Sequence, residues 1–186
     1  GSALGPKLLV DALGRDDARY DVKVVSNVDG AALVEAVKDM DPHKTIVAVA
    51  SKTFTTTETL LNATSAMEWM RDAGVTDPYA QFVALTAYPD KAVEWGIDES
   101  RILPFNEAVG GRYSLWCSIG FPGALGLGWP VYEELLEGAA VIEPVAGRHL
   151  YLRAHALLYL GDEGAQVPPA HVGGDHHAPF AVFAIH

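Results

Sequence analysis

The feature that most constrains the fold is a repeated alternation of short, continuously apolar runs with segments of helical periodicity. Residues 45–50 (TIVAVA) and 82–86 (FVALT) are apolar on both faces of an extended chain, which is typical of strands buried in a parallel sheet. A shorter run at 22–25 has the same character, and a helical pattern follows each of the three. This alternation predicts an α/β fold, with a doubly wound, mainly parallel sheet flanked by helices.

The remaining elements are bounded by glycine, proline and polar clusters. A first helix is expected over 4–13, where Gly14 ends the periodicity, and a weaker strand over 101–105, where Pro104 favours an edge position. Further helical patterns cover residues 31–37, a long stretch that ends at Gly74, residues 90–95 and, unevenly, residues 114–128. In such sheets ligands bind at the carboxyl ends of the strands, so the polar turns after the strands are the candidate sites.

Composition excludes several classes of function. The net charge of −11 and a pI near 4.9 argue against a nucleic-acid surface, because phosphate backbones are held by clustered Lys and Arg. Cys117 is the only cysteine, so no intrachain disulfide and no cysteine metal cluster is expected. No apolar run reaches the roughly 18 residues that cross a bilayer. We therefore expect a cytoplasmic chain that contacts neither membrane nor nucleic acid.

The strongest candidate site is the turn at residues 51–59 (SKTFTTTET), between an apolar strand and a long helix. Hydroxyl groups, the first N–H groups of the helix and the helix dipole would all favour a phosphate there. The alternative is a capping box, with Thr55 as N-cap and Glu58 three residues later. Capping needs only one of these threonines, whereas the segment also carries Lys52.

Two glycine-bearing turns could approach the same ligand. Residues 1–5 (GSALG) place Ser2 at the head of the first helix, and residues 109–114 (VGGRYS) place Arg112 beside paired glycines. Glycine lets the backbone come close to a ligand, and Arg suits anionic groups. Each turn alone is unspecific, since Arg112 could also pair with a carboxylate, but all three are expected at one edge of one sheet.

Four runs, taken together, carry a family resemblance: 1–6 (GSALGP), 25–30 (VSNVDG), 50–56 (ASKTFTT) and 107–116 (EAVGGRYSLW). In their residues, order and spacing, these runs resemble the sequence of glucose-6-phosphate isomerase, also called phosphoglucose isomerase. The resemblance covers about residues 1–140. The second and fourth runs are the most specific. The resemblance implies a sugar-isomerase (SIS) type of sugar-phosphate-binding domain. It also implies the interconversion of glucose 6-phosphate and fructose 6-phosphate in glycolysis and gluconeogenesis, without a metal or cofactor.

The resemblance also implies roles for individual residues. Phosphate would be held by side chains and backbone of the runs at 1–6 and 50–56, namely Ser2, Ser51, Lys52, Thr53 and Thr56. Gly111 and Arg112 would face the sugar, and Arg112 would stabilise the enediolate, since a cation beside a developing oxyanion lowers its energy. The resemblance also implies a homodimer, so a second copy of the chain is an expected partner.

The family's glutamate base, ring-opening histidine and C-terminal lysine lie in segments that have no match in this chain. Glu58, Glu94 and Glu107 give no reason to replace the base, because their settings suggest helix capping or ordinary surface carboxylates. The sequence therefore predicts a truncated isomerase that binds a sugar phosphate but is inactive or nearly so.

The resemblance ends near residue 140, which predicts two regions. Residues 1–140 form the sugar-phosphate-binding domain, and residues 141–186 form a divergent tail that is either out of frame or partly disordered. Histidines in the tail, such as His176 and His177, are interpreted as solvent-facing rather than as a metal site.

Two other functions remain open. A non-catalytic SIS-type module could sense a phosphosugar, although no basic recognition helix accompanies it. The isomerase half of an amidotransferase would share the Ser/Thr turn but not the run at 26–30.

Overall fold

The structure, a computed structural model, describes residues 3–14, 20–142 and 180–185. Five strands form one sheet in which every pairing is parallel. They are β1 (Tyr20–Val25), β2 (Ile46–Ala50), β3 (Phe82–Thr86), β4 (Ile102–Pro104) and β5 (Phe180–Ile185), in the spatial order β1-β5-β2-β3-β4. Because all strands run the same way, their carboxyl ends meet at one edge of the sheet.

Within the described ranges, six α-helices connect or cover the strands. They are α1 (Leu4–Leu13), α2 (Gly30–Val37), α3 (Thr57–Asp72), α4 (Pro89–Trp95), α5 (Phe121–Leu127) and α6 (Trp129–Ile142). Short 3-10 helices lie at Pro42–Lys44, Pro78–Gln81, Glu99–Arg101, Gly111–Trp116 and Ser118–Gly120. The order of strands and helices confirms the predicted α/β fold.

Alternate residues of the strands face two hydrophobic layers. In β2, Val47 and Val49 join the cluster that contains residues of α2, α3 and α4, whereas Ala48 and Ala50 join a second cluster with Val10 of α1 and residues of α5. Residues 47–49 are fully buried. Both faces of the sheet are therefore covered by helices, which explains why the β2 sequence is apolar at every position.

Most predicted boundaries agree with the structure to within a few residues, and β4 occupies the sheet edge as Pro104 suggested. The uneven helical stretch after residue 114 is divided into 3-10 turns followed by α5. Glycines at 120, 123 and 126 accompany this change, and a Cβ at Gly126 would lie 3.1 Å from a methyl group of Val10. Close packing of α5 against α1 and β1 therefore favours glycine there.

One strand lies in the region expected to be a tail. No strand is expected at 180–185 from the sequence, yet β5 pairs with β1 on one side and with β2 on the other. Residues 180–185 (FAVFAI) form a continuous apolar run, and this pattern of a buried strand could have been recognised in the sequence. The division at residue 140 stays a prediction, and residues 143–179 and 186, including the tail histidines, lie outside the described residues.

None of the helices in the described ranges is both long and apolar enough to cross a membrane.

Candidate functional site

The predicted phosphate turn, residues 51–56, leaves β2 at its carboxyl end and leads directly into α3. Ser51 is buried, and its hydroxyl group lies 3.3 Å from the hydroxyl of Thr56 and accepts a hydrogen bond from the N–H of Phe54 at 3.1 Å. Thr53 and Thr55 are exposed, and their hydroxyl oxygens are 2.9 Å apart. The turn thus gathers four hydroxyl groups beside the start of a helix. We call residues 51–56 the hydroxyl loop.

Phe54 is the hydrophobic anchor of the hydroxyl loop. Its backbone adopts φ 52°, in the left-handed region that a bulky residue rarely occupies. Its ring is buried and stands edge-on to Trp95 of α4, with ring centroids 6.1 Å apart. Burial of the ring offsets the cost of this conformation, which is of order 1–3 kcal/mol, and the chain can therefore turn sharply between Ser51 and α3.

The alternative for this segment, a capping box formed by Thr55 and Glu58, is not present. The N-cap of α3 is Thr56, and its side chain makes no capping hydrogen bond. The hydroxyl of Thr55 is directed to Thr53, and Glu58 is exposed in the first turn. By contrast, Asp29 caps α2 by accepting a hydrogen bond from the N–H of Ala31 at 2.9 Å. The first N–H groups of α3 therefore have no side-chain acceptor within the described ranges.

The run at 26–30 contributes to the same edge of the sheet. Asn27 follows β1, and its carbonyl oxygen accepts a hydrogen bond from the side chain of Asn62, a buried residue of α3, at 3.0 Å. This bond connects the turn after β1 with the helix that follows the hydroxyl loop. Asn62 was not singled out in the sequence, because its partner is 35 residues away.

The turn at residues 109–114, which contains Gly111 and Arg112 and which we call the Gly-Arg turn, follows β4. The 3-10 helix Gly111–Trp116 is closed by the buried Ser114, whose hydroxyl donates to the carbonyl of Gly111 at 2.6 Å. Gly5 of α1 packs here, since a Cβ at that position would lie 3.3 Å from the side chain of Leu115. The structure thus brings the head of α1 to the Gly-Arg turn, as the sequence suggested. Ser2 and the side chain of Arg112 lie outside the described part of the structure.

Three neighbouring strand ends are linked by backbone hydrogen bonds. The N–H of Ser51 donates to the carbonyl of Leu85, and the N–H of Phe105 donates to the carbonyl of Thr86, both at 3.1 Å. These bonds join the exits of β2, β3 and β4. The hydroxyl loop and the Gly-Arg turn consequently start from the same edge of the sheet, separated by β3.

The glutamates considered as replacement bases are engaged elsewhere or exposed. Glu94 forms an ion pair with Lys91 at 2.8 Å. Glu107 accepts a hydrogen bond from Tyr88, and this bond raises the pKa of the tyrosine above its ordinary value. Among the described residues, no group of three or more His, Cys, Asp and Glu side chains could hold a metal ion.

A groove of about 780 Å³ runs along β1 and is lined from α1, β1 and α2. Its walls carry carboxylates, including Asp11, Asp21 and Glu35, as well as lysines. Ser26 and Asn27 border it, but the hydroxyl loop does not. Each of these carboxylates is ion-paired with a lysine, so the positive charges of the groove are already compensated and give a phosphate dianion little net attraction.

The chain is similar in sequence to known phosphoglucose isomerases. The family model for phosphoglucose isomerase matches residues 1–150. Glucose-6-phosphate isomerases of Sphingopyxis alaskensis and Rhizorhabdus wittichii are 70% and 68% identical to the chain over 143 residues, which is 77% of the chain. The chain spans only 28% and 29% of the length of these relatives.

A solved structure gives the same assignment. A glucose-6-phosphate isomerase from Chlamydia trachomatis superimposes with a TM-score of 0.66 at 27% sequence identity. The match covers 87% of this chain and 32% of that protein.

Proposed function

Because the chain belongs to the phosphoglucose isomerase family, we propose that its hydroxyl loop binds the phosphate group of glucose 6-phosphate and fructose 6-phosphate. One observation carries the proposal: α3 begins without a side-chain cap although three threonines, Thr53, Thr55 and Thr56, immediately precede its first turn. Free N–H groups at a helix start, together with the helix dipole, form an anion site. Ser51, Lys52, Thr53 and Thr56 would contact the phosphate, and Ser2 would approach from the head of α1.

The sugar end of the ligand is assigned to the Gly-Arg turn. Gly111 would allow close approach of the backbone, and the guanidinium of Arg112 would stabilise the negative charge of the enediolate during isomerisation. Proton transfer in the family requires a glutamate, a histidine and a lysine from segments that have no match in this chain. We therefore infer that the 186 residues bind the sugar phosphate and do not catalyse its isomerisation at an appreciable rate.

The binding test is a titration of the 186-residue chain with 6-phosphogluconate, an open-chain phosphosugar mimic. Saturable heat is expected from the unmodified chain and none from the double variant Ser51→Ala, Thr53→Ala. Thr64→Ala with Ser65→Ala is the matched control, since it removes two hydroxyls from the middle of α3, away from the loop. Equal binding by both double variants would refute the assignment.

The chemical nature of the ligand is tested with two further probes. Inorganic phosphate should compete with 6-phosphogluconate, whereas gluconate, which lacks the phosphate, should not. Affinity should fall as the pH is lowered below about 6, because a phosphate monoester loses its second negative charge there. Competition by gluconate alone would show that the site recognises the polyol rather than the phosphate.

Catalysis is tested separately with fructose 6-phosphate and a coupled assay for glucose 6-phosphate. We expect no turnover above the rate of a variant that lacks Arg112. Measurable turnover that disappears in Arg112→Ala would contradict the inference that the chain lacks a catalytic base.

The wider setting follows the family. We propose a cytoplasmic role in glycolysis and gluconeogenesis, with a second copy of the chain as the expected protein partner. Sedimentation of the 186-residue chain distinguishes a dimer from a monomer.

A further inference from the structure

The carbonyl group of Lys52 is held by two donors from the end of β3. The N–H of Ala87 donates to it at 3.0 Å, and the hydroxyl of Thr86 donates at 3.0 Å. The first bond lies beyond Ala50 and Leu85, the last residues that β2 and β3 pair in register. The second comes from a side chain, so it depends on the identity of residue 86.

The hydroxyl of Thr86 has a fixed orientation. Thr86 is fully buried, and its hydroxyl oxygen also accepts a hydrogen bond from the N–H of Tyr88 at 3.1 Å. A hydroxyl group that donates one bond and accepts another cannot rotate without breaking one of them. It therefore provides a rigid connection between β3 and the hydroxyl loop.

This connection sets the direction of a loop amide. The peptide bond between Lys52 and Thr53 is trans and planar, so its N–H points opposite to its C=O. Because the carbonyl of Lys52 points to β3, the N–H of Thr53 points away from that strand. This N–H donates to no acceptor in the described part of the chain. Thr53 is followed by Phe54, whose backbone is left-handed, and the loop then continues into α3.

We propose that Thr86 is a positioning residue for phosphate binding, which it supports by holding the Lys52 carbonyl so that the Thr53 amide faces the ligand. The proposal rests on the proposed function of the hydroxyl loop. Thr86 does not touch the phosphate, and its effect is transmitted through one peptide unit. A preorganised donor costs no reordering when the ligand binds, which is the origin of its contribution to affinity.

Three variants test the proposal. Thr86→Val has nearly the same shape but cannot donate to Lys52, and Thr86→Ser restores the hydroxyl. Thr45→Val is the matched control, because Thr45 is also fully buried and its hydroxyl donates to a backbone carbonyl, that of Asp41, at 2.8 Å. Thr45 precedes β2 and therefore lies at the opposite edge of the sheet. Both valine variants should lower the melting temperature to a similar extent.

The readouts are the affinities for 6-phosphogluconate and inorganic phosphate at a temperature where every variant is folded. Thr86→Val should bind about tenfold more weakly than the unmodified chain, Thr86→Ser nearly as well, and Thr45→Val equally well. Equal affinities of Thr86→Val and the unmodified chain would overturn the positioning role while leaving the phosphate site intact. Equal weakening in Thr45→Val would overturn it too, because general destabilisation would then explain the effect. Absence of binding by the folded, unmodified chain would overturn the proposed function itself, and with it the role of Thr86.

Discussion

Cys117 shows how burial determines the chemistry of a single side chain. Its thiol donates to the carbonyl of Ser114 at 3.0 Å, and desolvation raises its pKa from 9.0 to about 11. Burial likewise raises the pKa of the neighbouring Tyr132, whose hydroxyl donates to Leu115. A thiolate is the reactive form of cysteine, so the folded chain should protect this residue.

At pH 8 we expect iodoacetamide to alkylate Cys117 roughly one hundred times more slowly in the folded chain than in urea, since two pKa units separate the two states. The raised pKa also stabilises the fold below pH 9. This contribution is lost as the pH rises from 9 through about 11, because the unfolded thiol releases its proton first. Mass spectrometry of timed samples measures the rate, and equal rates in both states would contradict the prediction.

Phe54 is the second residue with a testable energetic role. Phe54→Ala removes a buried ring that packs on Trp95, and we expect a loss of about 3–4 kcal/mol in the free energy of unfolding. Val93→Ala, on the exposed side of α4, is the control and should change it by less than about 0.5 kcal/mol. Urea denaturation measures both, and a loss below about 1 kcal/mol for Phe54→Ala would mean that the loop is not anchored by this ring.

At the scale of the element, the uncapped start of α3 predicts a conflict between stability and binding. Thr56 has the extended backbone of an N-cap but makes no capping bond. Thr56→Asp should supply that bond and stabilise the chain by about 1 kcal/mol. The same carboxylate would repel a phosphate dianion, so binding of 6-phosphogluconate should be lost.

The control for this prediction is Asp29→Ala, which removes an existing cap from α2 and should cost about 1 kcal/mol. Thermal unfolding and calorimetric titration give the two quantities. A Thr56→Asp variant that is less stable than the unmodified chain would show that the start of α3 cannot accept a cap.

At the scale of the whole molecule, β5 is the strand that joins the two parts of the sheet. It separates β1 from β2, so β1 has no other strand partner among the described residues. We expect a chain that ends at residue 140 to lose cooperative thermal unfolding, because hydrogen bonds on both sides of β5 are removed. Circular dichroism compares it with the 186-residue chain. An unchanged melting curve would support residues 1–140 as an independent domain.

Local patterns were sufficient for much of the fold and for the location of the candidate site. Strand and helix periodicity involves residues two to four positions apart, so 82–86 and 4–13 could be bounded from the sequence alone. The hydroxyl loop was found because its residues are consecutive. The resemblance then suggested the ligand and the role of Arg112, which stays a prediction.

Other features depended on contacts between distant residues. The bond from Thr86 to Lys52 spans 34 positions, and β5 inserts between strands that precede it by more than 130 residues. The ring of Phe54, whose backbone is left-handed, packs on Trp95 of α4, which is 41 positions further along the chain. The sequence by itself determined the alternating elements and the chemistry of the hydroxyl loop, because both are encoded locally. Only the tertiary structure decided the strand order, the anchoring of the loop and the direction of its amides, because each arises from packing between segments far apart in the chain.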